Sequence, residues 1–440
     1  MAKRKKKPGG HQLEAIAHAH HKNEFLRKFK YICNSCCDRD IYSLIPQKVI
    51  ERIYQFRYHT FKVLPAEGHL VTNVVLNNIK SYLSRRIKMD KIVLSQTSIE
   101  ITIEDYFTVA LTVQGYSRVI EDKDFLHADL VRSALKNFEV KEGNIENALG
   151  KLFGLISALG YWESKIGGYM YWLKYNQELI KSGGNGMNNI LEVYSHKPET
   201  GRAKINGKVR PVIRLGWGIA NTGVEWAKLQ PSLLNIKNAT SDLPLKVYVQ
   251  SHTLKRLDER IDCVSTTLSH MNFFSSFVNA KVFYDNNHHI LIEHRICECK
   301  VGYFRVDIVD GIAVVRTFLF LTQSGTPEGQ LLWKNTGLQK LDTKYLAIDK
   351  LSSFMSSDVN DSENIRKIFQ ESGCQGLLDL YSIINKFCTK HPSQSTSNLI
   401  LDYLGISDHL FPEDLTDLTG CDNLSEPDKI NADDCLERIS

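Results

Sequence analysis

The residue types able to do chemistry together gather in one stretch, Ser251-His252-Thr253-Leu254-Lys255-Arg256-Leu257-Asp258-Glu259-Arg260-Ile261. At about 100° per residue, Leu254, Leu257, Ile261 and Val264 fall on one apolar arc of a helix. His252, Arg256, Glu259 and Arg260 fall on the opposite arc, within roughly a quarter-turn of one another. An imidazole, a carboxylate and two guanidinium groups on one face can move a proton and neutralise a phosphate. In that chemistry His252 or Glu259 carries the proton, and Arg256 and Arg260 hold the anion. A second reading stands beside it. Any solvated helix has a charged arc opposite an apolar one, and Glu259 then pairs merely with Lys255 or Arg256.

The elements that must position this helix follow from periodicity. An apolar strand, Leu245–Val249, leads into it, and a second helix is expected over about 265–277. Strands are expected over 281–284, 290–298, 301–309 and 312–322, with Asp310-Gly311 as a tight hairpin turn. Pairing Glu293 with Asp307 and Arg295 with Arg305 keeps the charged residues on one face. Ile292, Ile296, Phe304, Val306 and Ile308 then take the other face, against the helices. Beyond the last strand, Thr326 is expected to cap a helix that has Pro327 in its first position.

The run His252-Thr253-Leu254-Lys255-Arg256-Leu257-Asp258-Glu259-Arg260 resembles the "His-Ala…Arg-(Met/Leu)-x-Glu-Arg" opening of small bacterial and phage-derived domains. These are grouped with the RelE-like toxins and the wider barnase, EndoU and colicin ribonucleases. The resemblance covers residues 245–332, and its helix pattern is matched only by His252, Arg256, Glu259 and Arg260. It implies metal-independent cleavage of RNA, with Arg316 and Thr317 at the late-strand position where that group often carries a further active-site residue. It implies no cofactor, and a prokaryotic or phage origin. A domain of the same fold without chemistry, binding nucleic acid or a protein partner, is the alternative.

The totals set the frame. A chain of 440 residues exceeds one comfortable core, so several domains are expected. No run approaches the roughly 18 apolar residues of a membrane helix, and no apolar segment follows the basic start. Ten cysteines scattered over this length suit a reducing, cytoplasmic setting. The net charge of +5 conceals a polarity: residues 1–60 hold 13 Lys/Arg against 5 Asp/Glu, while residues 401–440 hold 11 acidic residues against Lys429 and Arg438. A basic head suits a polyanion, RNA or DNA.

In chain order, the fold class expected is α+β and multidomain, with helical flanks around a central two-helix and antiparallel-sheet domain. Residues 1–40 read as a basic arm and a helix. Lys3, Arg4, Lys5, Lys6 and Lys7 would neutralise phosphates or form a solvated tail. His18, His20 and His21 lie upstream of Cys33, Cys36 and Cys37, but along one helix His21 and Cys33 are about 18 Å apart, too far to share an ion. Residues 41–160 read as a mixed α+β domain, with two or three helices over 41–88, strands Ile99–Ile103 and Phe107–Val113, and helices over 124–159.

Residues 161–240 read as a glycine- and aromatic-rich β region. Gly167–Trp172 and Lys181–Gly186 look loop-like, and the second lacks the Lys-Ser/Thr ending of a P-loop. Asn206-Gly207 marks a tight hairpin. Around it Arg202, Lys204, Lys208, Arg210 and Arg214, with Trp217 and Trp226 behind, either hold a nucleic-acid strand or form a solvated hairpin over core tryptophans. Residues 245–335 form the central domain, 340–405 a helical region and 406–440 an acidic tail. His289 and Cys297 lie about 26 Å apart along a strand, and His294 points the other way, so no metal is expected there.

Overall fold

A computed structural model describes residues 10–35, 39–94, 99–136, 142–180, 186–234, 243–385 and 396–404. The basic arm Lys3–Lys7, Cys36, Cys37, residues 181–185 of the glycine loop and the acidic tail lie outside the described residues. The chain is α+β, and it divides into two units: residues 1–164, 169–197 and 218–225, and residues 165–168, 198–217 and 226–440. No helix of the described residues is long and apolar enough to cross a membrane.

The first unit begins with α1 (Gly10–Asn34) and α2 (Gln47–Gln55), followed by strand β1 (Lys62–Pro65), which the two-or-three-helix expectation for 41–88 did not contain. Next come α3 (Asn73–Met89) and the antiparallel pair β2 (Lys91–Leu94) and β3 (Ile99–Thr102). The stretch Phe107–Val113, expected as a strand, is helical: α4 (Ile103–Asp105) runs through a π-helical turn, Tyr106–Ala110, into α5 (Leu111–Ser117). The Thr102 side chain caps this start by accepting from the Asp105 amide at 3.1 Å, and Glu104 and Asp105 supply the acidic first turn. Tyr106 to Ala110 are all buried, so no polar face marks a period of 3.6, and threonines alternating with apolar residues mimic a strand.

After α6 (Ala128–Lys136) and α7 (Glu142–Glu163), β4 (Met170–Leu179) and β5 (Met187–His196) pair antiparallel, and β1 joins β5 in parallel. Tyr171 and Trp172 therefore lie on a strand, not in the loop expected over 167–172.

In the second unit, β6 (Thr200–Ile205) and β7 (Lys208–Arg214) form the hairpin that Asn206-Gly207 signals, with φ of 48° and 75° at the two turn residues. The short strands β8 (Gly216–Ile219) and β9 (Gly223–Trp226) lie where the chain passes between units, and β10 (Lys228–Leu229) pairs with β11 (Leu245–Val249). Then follow α8 (Ser251–Arg260), α9 (Thr266–Val278), β12 (Val282–Tyr284), β13 (Ile290–Ile296), β14 (Cys299–Val309) and β15 (Ile312–Phe320).

The sheet order is β12-β13-β14-β15-β11-β7-β6, with only the β11–β15 pair parallel along that path. Asp310-Gly311 makes the expected two-residue turn. The preceding turn is Cys297-Glu298, both at positive φ (47° and 62°), so the β13–β14 register is set by residues that carry no turn signal. Glu293 accordingly faces Tyr303 and Leu291 faces Arg305, in place of the expected Glu293–Asp307 and Arg295–Arg305 pairs. Up to His294 the offset is even and the faces survive; past a register shift Arg295 faces Lys300, an odd offset.

Ile292, Ile296, Phe304 and Val306 are buried as expected, while Ile308 is half-buried. Phe304 stacks on Phe273 of α9 with ring centroids 4.0 Å apart, and Phe277, His294 and Phe318 close around it. On the other face, Glu328 accepts from Lys300 (2.5 Å) and Tyr303 (3.0 Å). That contact ties α10 (Pro327–Thr336) to the sheet. Thr326 caps α10 as expected, accepting from the Gly329 amide at 2.9 Å, with Pro327 at its start. Short helices, α11 (Lys340–Tyr345), α12 (Ser357–Asp361), α13 (Glu363–Glu371), α14 (Gln375–Ile384) and α15 (Thr396–Leu404), complete the unit.

Candidate nucleic-acid interface

Helix α8 lies along the edge of β15 where β11 ends. Thr253 and Arg260 are seven residues apart, so they fall on nearly one line of the helix, rising about 10.5 Å. The Thr253 hydroxyl donates to the Val315 carbonyl at 2.9 Å, and the Arg260 guanidinium donates to the carbonyl of Phe318. Three strand residues span about 10 Å, which matches the helical rise. In a regular strand those two carbonyls would point to opposite edges. Arg305 pairs with Thr317 and Val306 with Val315, so Arg316 is the extra residue of a β-bulge. The bulge turns both carbonyls towards α8 and re-aims the Arg316 side chain.

This divides the helical residues by role. Thr253 and Leu257 are buried, and Ile261 just past the helix is too. Arg260 sits about 60° round the helix from Leu257, on the border of the apolar arc. Burial pushes its pKa down to about 10, which leaves it charged at neutral pH. Its cation serves a strand carbonyl, not a ligand. Glu259 is held by Arg256 at 2.7 Å and by Lys255 at 3.9 Å, which is the solvated-face pairing. His252 is exposed at the first turn. Partial burial, and then the nearby Arg256, hold its imidazole below the ordinary histidine range, so it is a neutral base at pH 7.

The strand residues assemble a cationic seat. The Arg316 Nε donates to Gln250 Oε1 at 3.2 Å, and its Nη1 is bonded to Asp307. The Arg305 Nε reaches the same carboxylate only at 3.8 Å, too long for a hydrogen bond, and that buried N–H has no acceptor among the described residues. Two guanidinium groups thus share one carboxylate. Thr317 pairs directly with Arg305, and its hydroxyl lies 3.4 Å from the Phe318 carbonyl.

In sequence Arg305 and Asp307 read only as charged positions on one sheet face, and Gln250 carries no signal. The bulge that brings Arg316 to Asp307 has no sequence signature, although the alternation Arg305-Val306-Asp307 did put both charges on one face.

The hairpin adds to that face only in part. Cross-strand partners share a face, and Lys204 pairs with Val209 and Arg202 with Pro211. Arg202 and Lys204 therefore leave one side of the ribbon, and Lys208, Arg210 and Arg214 the other. The basic ribbon expected as one strip is split between two faces. Following the register outward, Arg214 pairs with Tyr248, Tyr248 with Val314, and Val314 with Asp307. Lys208, Arg210 and Arg214 thus lie on the same side of the sheet as Arg305 and Asp307, with the buried apolar cluster Ala203, Ile205, Val212 and Val314 between them. Arg214 lies over the Trp226 ring at 4.4 Å and is bonded to Glu199 at 2.8 Å. Trp217 is buried in the core and offers no face for stacking.

His294 is a core histidine, not a ligand: it is fully buried against Phe304 and Phe318. No group of three metal-ligating side chains is present among the described residues. No protein-family model, curated protein or solved structure matches this chain.

Proposed function

We propose that the second unit binds the sugar–phosphate backbone of nucleic acid on the sheet face that carries Lys208, Arg210, Arg305 and Arg316. The observation that carries this reading is the shared Asp307. One carboxylate offsets one of two guanidinium groups, and a phosphate is an anion that the planar guanidinium fork fits bidentately. A bulge beside the site and the neutral imidazole of His252, two residues beyond the Gln250 that holds Arg316, support the same location.

Metal-independent RNA cleavage, as in the ribonuclease group that the helix resembles, is the second reading. It is favoured by His252, whose depressed pKa leaves it able to take a 2′-hydroxyl proton. Glu259 and Arg260, already engaged by Arg256 and by the Phe318 carbonyl, add little to it. Binding without chemistry accounts for more of the geometry.

Fluorescence anisotropy with a labelled single-stranded RNA of mixed sequence tests the binding. Arg305→Gln and Arg316→Gln are each expected to weaken binding about tenfold and to lower the salt slope by about one. Arg202→Gln, on the opposite side of the ribbon, should leave both unchanged. Equal affinity in all three variants would remove the seat from the account.

A further inference from the structure

The first unit contains a cleft of about 900 Å³ that neither the ribonuclease reading nor the sheet face of the second unit uses. Helix α1 forms one wall with His18, His21, Glu24 and Lys28, and α3 forms the other with Lys80, Ser84 and Lys88. Both sets recur at three- or four-residue spacing, so each is one stripe of its helix turned to the cavity. The segment from Arg57 to Phe61, Glu104 and Asp105 of α4, and Thr108 and Val109 of the π-helical turn add to the lining.

The charges do not cancel. Lys28 takes both Asp105 (2.6 Å) and Glu24 (3.4 Å), which leaves Glu104 as the carboxylate that faces Lys88. Arg57, Lys80 and Lys88 have no carboxylate at ion-pair distance among the described residues. The Arg57 guanidinium lies over the Tyr54 ring, 3.8 Å from its centroid, and spends one N–H on the Tyr54 carbonyl at 2.7 Å. The Tyr54 hydroxyl is buried without a partner, and the Tyr54 ring, Tyr58 and Phe61 give the lining an aromatic part.

The site is also built to hold its shape. Asn189, fully buried on β5, donates to the His59 carbonyl at 2.7 Å and to the Phe107 carbonyl at 3.1 Å. Phe107 belongs to the π-helical turn, whose wider spacing leaves carbonyls that a regular helix would satisfy. Such turns occur frequently at functional sites. One side chain therefore pins the two segments that line the cleft between the helices. Burial, with Arg57 and Lys62 nearby, keeps His59 below the ordinary histidine range, so it enters the lining as a neutral imidazole.

We infer that this cleft binds a nucleoside phosphate, its phosphate held by Arg57, Lys80 and Lys88 and its base set against the tyrosine and phenylalanine rings. A surplus of one cation, four against three carboxylates, calls for an anion, the rings call for a flat apolar part, and the volume lies at the upper end of small-ligand pockets, enough for a nucleotide. The site lies in the other unit and does not depend on the RNA seat.

Isothermal titration calorimetry on the full chain provides the test, with the four ribonucleoside monophosphates, their diphosphates, and inorganic phosphate as probes. At least one nucleotide should bind saturably, ten times or more tighter than inorganic phosphate. Lys80→Glu combined with Lys88→Glu should weaken it at least thirtyfold. Both lysines are exposed on α3, and an unchanged melting temperature would certify the fold. The Arg305→Gln and Arg316→Gln variants should bind the nucleotide as the wild type does, which separates this site from the other. No saturable binding of any nucleotide, inorganic phosphate binding as tightly, or full affinity in the double variant would each overturn the assignment.

Discussion

Phe304→Ala is expected to destabilise the second unit by about 3–5 kcal/mol, the usual cost of deleting a buried phenylalanine and leaving its cavity. Phe304 is fully buried, with Phe273 stacked on it and Phe277, His294 and Phe318 around it. These neighbours come from α9, β13 and β15, each fixed by its own sheet or helix contacts, so the void cannot collapse cheaply. For a unit of this size the loss amounts to a fall of order 10 °C in its melting transition, readable by calorimetry on the full chain. Phe283, on the edge strand β12 and 38% exposed, is the control, and its alanine variant should cost far less. Similar losses for the two would mean that the aromatic cluster is not the centre of this core.

Acid should destabilise the same unit through two histidines that fold as neutral bases. Ser276 Oγ donates to the Asn272 carbonyl at 2.9 Å, so at 2.8 Å it accepts from His294 Nδ1, which must carry the proton. The other ring nitrogen, Nε2, is buried without a partner, and burial alone pushes the His294 pKa down to about 3. His270 accepts from the Ile166 amide at 3.3 Å through Nδ1, so its proton sits on Nε2, facing Asp258 at 3.6 Å. Burial, and then nearby Lys165, pushes its pKa down to about 4.

Both folded pKa values lie below the unfolded value near 6.5, so the unfolded state binds these protons first. Their contribution is intact above pH 6.5 and is lost as pH falls from there towards the folded values. At pH 5 the loss is about 2 kcal/mol for each histidine. Urea unfolding at pH 7 and pH 5 checks this, with His294→Gln expected to flatten the difference by about half. An undiminished acid loss in that variant would assign the effect to other groups.

The two sets of expectations also show what a sequence alone discloses. The second unit was legible where local signals are strong: the two-residue turns at Asn206-Gly207 and Asp310-Gly311, the Thr326 cap and the alternation along β14 all reappear. The first unit was less so, because Tyr106 to Ala110 are buried on every side and carry no helical period. The candidate site was half legible. His252, Arg256, Glu259 and Arg260 do share a helix. Which of them is free depends on β15, and a heptad-spaced pair facing a bulged strand edge cannot be foreseen from spacing. Arg305 reads from sequence only as a charged sheet position, because its significance is the Asp307 carboxylate it shares with Arg316, and that sharing is set by register.

The central claim, a phosphate seat between β14 and β15 that needs no metal, is tested most directly by incubating labelled single-stranded RNA with the full chain in EDTA. Wild type, Arg305→Gln/Arg316→Gln and His252→Ala would be run side by side, reading retention and cleavage in the same lanes. The account predicts RNA retained intact by the wild type and His252→Ala and released by the double arginine variant. Cleavage by the wild type that His252→Ala abolishes would favour the ribonuclease reading on the same seat. RNA retained equally by all three proteins, or by none of them, would contradict the account.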